Sequence, residues 1–126
     1  MNKGRDEGQA TVELALVLPV LVMLLVLVMQ VGLVVRDQVM LIHAAREGAR
    51  AAAVEDDPGA ARTAALAGAR LDPERLEVAT RGRAGPGSYV TVTLTYPSLT
   101  DLPLVGHLVG DIELEASATM RVEEKP

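Results

Sequence analysis

Few residues of this chain have a type and spacing that could do chemistry, and His43 with Glu47 is the first pair to weigh. The two stand one helical turn apart, the spacing of a metal-binding pair. No third ligand lies nearby, and the other histidine is His107. Two ligands do not make a site, so the pair reads as solvated or interfacial. With no cysteine, the chain has neither a thiolate nucleophile nor a disulfide framework. The glycines of Arg81 to Ser88, RGRAGPGS, suggest a phosphate cradle, but the Walker spacing and its Lys-Ser/Thr ending are absent. No nucleophile elbow occurs either. The chain therefore reads as no enzyme, with no cofactor, no metal and no small-molecule substrate. Its 17 acids against 12 bases give a net charge of −5, and no basic run is dense enough for nucleic acid. One carboxylate remains to be explained. Glu13 stands at the edge of a long apolar run, where it is stabilised by protonation, a partner or nearby headgroups.

The element that must position Glu13 is the stretch Val12 to Val35, VELALVLPVLVMLLVLVMQVGLVV. From Leu14 to Val35 it holds no ionisable group. As a helix at ~1.5 Å per residue it spans roughly 33 Å, enough for a bilayer's hydrocarbon core. A helix is the form that crosses, because it satisfies every backbone N–H and C=O within one segment. Apolar side chains occur all round the circumference, unlike the single stripe of a soluble amphipathic helix. This predicts a single membrane span at residues 14–35. Pro19 should bend it or loosen one turn.

Before the span lies MNKGRDEG, Met1 to Gly8, short, polar and mixed in charge. A cleaved secretory signal fits poorly: the apolar run is too long, and QVGLVVRDQ after it offers no small-residue cleavage site. Gly8 is followed by Gln9-Ala10-Thr11-Val12-Glu13 and then the apolar run. This junction resembles the prepilin-type (class III) signal of type IV pilins. The longer stretch Gly8 to Arg50 resembles the N-terminal region of the TadE-like pseudopilins of tight-adherence, or Flp-type, pilus systems. The parts that carry the likeness are VELALVLP before the apolar run and HAAREGARAAA after it. Two departures stand out: Leu14 occupies a position where an aromatic commonly follows the glutamate, and the far end of the span lacks the usual aromatics.

The resemblance implies several things that the residues alone do not. A prepilin peptidase would cut between Gly8 and Gln9, leaving the apolar helix in the mature protein with Glu13 as its fifth residue. It implies other pilin or pseudopilin subunits and the pilus assembly platform as partners, besides the membrane itself. It also implies a place in the cytoplasmic (inner) membrane with the C-terminal domain outside, or at the cell surface in a pilus. Charge does not choose that orientation, since Lys3 and Arg5 at one end nearly balance Arg36, Arg46 and Arg50 at the other.

Beyond Arg36 and Asp37 nothing stops the helix, which should continue to about Val54 on its many alanines. Val35, Val39, Ile42, Ala45, Ala49 and Ala53 recur at threes and fours as one face. Ala44, Gly48 and Ala52 add a line of small residues that lets another backbone approach closely. These packing candidates, Ala44, Ala45, Gly48, Ala49 and Ala52, could receive the chain's own small domain or a second subunit.

Residues 55–126 should form that domain. Asp57-Pro58 signals the start of a second helix, with Asp57 as N-cap and Pro58 at its first position. Asp72-Pro73 gives only a turn before a strand around Leu76 to Thr80. Two further strands alternate clearly. Tyr89 to Tyr96 sets Val90, Val92, Leu94 and Tyr96 on one face. Ile112 to Glu123 turns Ile112, Leu114, Ala116, Ala118, Met120 and Val122 inward. Between them, Leu102, Leu104, Val105, Leu108 and Val109 form an apolar connection that either packs across the sheet or offers a contact patch. A sheet with one apolar face implies helices on one side only.

The expected fold is α+β: a long N-terminal transmembrane helix running into a small domain with a short helix and an antiparallel sheet of about three strands. The expected organisation is a leader at 1–8, the long helix at 9–54 and the small domain at 55–126. The function that follows from the resemblance is a minor pilin or pseudopilin, processed by a prepilin peptidase and used in pilus assembly for adhesion or biofilm formation. The competing reading is an uncleaved, single-span anchor displaying an extracytoplasmic binding module.

Overall fold

One helix, α1, runs unbroken from Lys3 to Val54 in the computed structural model, which describes residues 3–99 and 110–123 and side chains from Gly8 onward. Pro19 lies inside it without ending it. Because α1 starts at Lys3, part of the polar stretch before Gly8 is helical as well. The chain divides into two compact units, residues 1–33 and 34–126.

In the first unit the apolar side chains face outward all round the helix. Leu16 is 71% exposed, Leu25 69% and Met29 67%. Such a surface is stable where hydrocarbon, not water, surrounds it. By length and composition α1 can cross a membrane, and it fits a single-pass membrane protein.

The second unit is α+β. After the α1 segment come α2 (Ala60–Gly68), β1 (Glu77–Arg81), β2 (Tyr89–Ser98) and β3 (Ile112–Arg121). The strands form one antiparallel sheet in the order β1-β2-β3. The predicted alternation holds. Val90, Val92 and Leu94 are fully buried and Tyr96 nearly so, while Glu113, Glu115, Ser117, Thr119 and Arg121 are exposed. Leu114, Ala116 and Val122 join the core, which closes on Leu41, Ala44, Ala45, Ala49, Ala52 and Ala53 of α1 and on Ala61 and Ala65 of α2. With neither Phe nor Trp in the chain, close approach of backbones over alanine replaces bulk.

β2 extends two residues past the expected end, through Pro97. A proline is poorly tolerated in a central strand. Pairing with β1 stops at Thr95, however, so at Pro97 β2 has β3 as its neighbour on one side only. The missing N–H then costs no ladder bond.

Three expectations are corrected. Asp57 and Pro58 do not cap and open α2. The Asp57 carboxylate accepts from the Gly59 N–H at 2.9 Å, and its carbonyl accepts from the Ala60 N–H at 3.1 Å. That side-chain turn precedes a helix whose own cap residue is Gly59, with no side-chain cap bond. The six-residue face on α1 also divides. Ala45, Ala49 and Ala53 are buried, but Val35, Val39 and Ile42 are exposed, at 55%, 46% and 36%. The packed stripe is rotated toward Leu41, Ala44 and Ala52, because α2 and the sheet together cover a face of small residues. Finally, the expected third strand ends at Arg121, not Glu123. The Glu123 N–H instead donates to the Ala53 carbonyl at 3.0 Å.

Two turns fall where they were expected. Asp72 and Pro73 form a turn, closed by the Arg75 N–H to the Asp72 carbonyl at 3.2 Å. The loop after β1 turns on glycines at positive φ, Gly82, Gly85 and Gly87. The apolar connection bearing Leu102, Leu104, Val105, Leu108 and Val109 falls outside the described residues, as does His107.

Candidate functional site

The N-terminal junction lies within α1, so helical geometry alone sets its spacing. Gly8, Gln9 and Glu13 are all exposed. Gln9 and Glu13 stand four apart and share a face, and the Gln9 Nε2 donates to Glu13 Oε1 at 3.1 Å. A Cβ built on Gly8 would meet nothing within 4 Å. The fold of this chain therefore does not demand glycine there. Just beyond Glu13 the exposed apolar helix begins, with Leu14 at 62% and Leu16 at 71%.

The packing candidates lie in the unit 34–126. Ala44, Ala45, Gly48, Ala49 and Ala52 are all buried within that unit. Gly48 marks a close approach of backbones. A Cβ there would sit 3.0 Å from the Ala61 carbonyl oxygen, 3.3 Å from Ala65 Cβ and 3.3 Å from Val92 Cγ1. Small residues on α1 thus admit α2 and β2 of the same chain. The face left open carries Val35, Val39 and Ile42.

Long-range polar contacts hold α1 to the sheet, and none was readable from spacing. At the near end Ser98 Oγ donates to Asp37 Oδ2 at 2.9 Å, and Gln38 Nε2 donates to the Glu115 carbonyl at 3.1 Å. At the far end α1 has no basic residue in its last turn to meet the negative end of its dipole. Arg83, from the loop after β1, supplies the cation. Its guanidinium donates to the Glu55 carbonyl and, at 2.7 Å, to Asp56 Oδ1. The acidic Glu55-Asp56-Asp57 run hinted that a cation was needed there, but not that Arg83 would provide it.

His43 and Glu47 are both exposed. Among the described residues no three His, Asp or Glu side chains come together to hold a metal. A shallow groove of about 310 Å³ runs along Glu47, Arg50, Val54 and Ala64, and another of about 580 Å³ along Pro86, Gly87, Arg121 and Glu123. Neither gathers a nucleophile, a base and an oxyanion donor.

These features fit a class: a single-pass α+β protein with a long apolar helix whose polar junction, Gly8 to Glu13, lies toward its N-terminal end. Residues 8–50, about a third of the chain, match the family model described as TadE-like protein, a likeness consistent with a TadE-like pilin of tight-adherence (Flp) pilus systems. The match begins at Gly8 and takes in Glu13, the apolar run and the small-residue stretch to Arg50. No curated protein and no solved structure matches the chain.

Proposed function

We propose that this protein is a minor pilin or pseudopilin, a structural subunit in assembly of a tight-adherence pilus serving adhesion or biofilm formation. The observation that carries the reading is where the TadE-like match starts: at Gly8, directly against an exposed apolar helix. A prepilin peptidase cuts between Gly8 and Gln9, and the mature helix stays in the cytoplasmic membrane with residues beyond Arg36 outside. The open space around Gly8 supports this, since a glycine that the fold does not need is free to serve a peptidase.

Cleavage creates an ammonium on Gln9. Before the cut, the Gln9 amide occupies Glu13 at 3.1 Å. Afterwards the amine of one subunit can compete for the Glu13 carboxylate of another. Opposite charges at ~4 Å attract by about 4 kcal/mol at an effective dielectric of 20, before desolvation is subtracted. That attraction sets the register between subunits. The packing residues Ala44 to Ala52 serve a different purpose here, holding the small domain on its own helix. Co-purification of wild type and Glu13→Gln with other pilin subunits, at matched membrane levels, tests the assembly role. The variant should be cleaved and inserted yet lose its partners; equal recovery would remove Glu13 from the mechanism.

A further inference from the structure

The two edges of the sheet are treated differently. At β3 the Gln38 side chain occupies the Glu115 carbonyl, and just past the strand the Glu123 N–H donates to the Ala53 carbonyl. β1 has no such cover. It pairs with β2 on one side, and among the described residues no other backbone bond involves Glu77 to Arg81. Four of its five residues are exposed, with Val78 half-buried. An uncovered edge is a template for another strand.

The sequence of β1, Glu-Val-Ala-Thr-Arg, says which strand. Glu77, Ala79 and Arg81 alternate onto the outer face, across from Thr95, Thr93 and Thr91 of β2. Laid antiparallel against itself about a two-fold axis at Ala79, β1 sets Glu77 opposite the partner's Arg81 at both ends of the seam. Val78 then faces the partner's Thr80. Sliding the register by four residues brings Glu77 onto the partner's Glu77, or Arg81 onto the partner's Arg81, and repels. A slip by one residue turns each outer side chain against an inner one. Charges on an edge ordinarily discourage strand addition. Here one arrangement neutralises both, and it requires a second copy of the same strand.

We propose that β1 is the self-complementary seam of a homodimer, joining two copies into one continuous antiparallel sheet through paired Glu77–Arg81 contacts. The proposal stands on the sheet and does not rest on the pilus reading. A five-residue seam is small for a stable complex in solution. Anchoring both copies in one membrane raises their effective concentration, so the dimer belongs to the membrane and dissociates on dilution into detergent.

Because the chain has no cysteine, a single introduced thiol reports the seam. In membranes containing the full-length protein, Ala79→Cys at the two-fold position should form disulfide-linked dimers under mild oxidant. Ser117→Cys, exposed on β3, should give far fewer. In the Ala79→Cys chain, Glu77→Arg alone and Arg81→Glu alone should each lower the yield roughly fivefold or more, as two attractive cross-strand pairs become repulsive. Combining the two exchanges should restore it. Both side chains are exposed, so the variants should keep wild-type protease resistance. A yield at Ala79 no greater than at Ser117, indifference to the single charge changes, or failure of the double exchange to restore dimers would overturn the proposal.

Discussion

At Gly8 a Cβ would meet nothing within 4 Å, whereas at Gly48 it would sit 3.0 Å from the Ala61 carbonyl oxygen. The same residue type thus answers two different demands along one helix. Gly48 is a packing residue, and the atom it spares is backbone, which cannot swing aside as a flexible side chain can. Gly48→Val should therefore force α2 off α1, costing about 1–3 kcal/mol. For a domain of this size the unfolding midpoint of the full chain in detergent should fall by ~5–20 °C. An unchanged midpoint would mean that α2 does not sit where it is placed. The line of small residues was readable in the sequence, but its partner was not. Ala44, Gly48 and Ala52 have the same spacing whether they receive a neighbouring subunit or, as here, the chain's own helix.

Among the elements, β2 and β3 were legible because alternation of Val and Leu with Thr and Glu has only one way to bury its apolar half. The face of α1 was less so. Val35, Val39 and Ile42 and the alanines at 45, 49 and 53 fit one stripe by spacing alone. In a segment this rich in apolar residues several overlapping stripes fit equally well, and tertiary contacts choose among them. The end of α1 at about Val54 was legible, yet its clamp comes from Arg83, far along the chain. Arg83→Ala should leave the Glu55 carbonyl without its guanidinium and cost about 1 kcal/mol. The bond to Asp56 adds little, because that carboxylate is 85% exposed. Hydrogen exchange should then quicken in the last turn, at Ala52 to Val54, and stay unchanged at Leu41 to Ala45. Uniform protection in the variant would show that Glu123 alone secures the helix end.

For the molecule as a whole, a helix long and apolar enough to cross a membrane, matching the TadE-like family model over residues 8–50, continues into a segment on which the small domain is built. The long apolar helix was legible because length and the absence of charge are themselves the signal. Orientation was not, since basic residues at the two ends nearly balance. In the proposed topology, protease added to intact protoplasts digests residues beyond Arg36, and complete protection there would reverse it. In the proposed function Gly8 and Gln9 form a processing site at the start of a retained membrane helix. Intact mass of the protein purified from native membranes, with and without the cognate peptidase, tests it most directly. The mass should be that of a chain beginning at Gln9 when the peptidase is present and of a chain retaining Met1 to Gly8 when it is absent. A chain that keeps those residues in the presence of an active peptidase would contradict it.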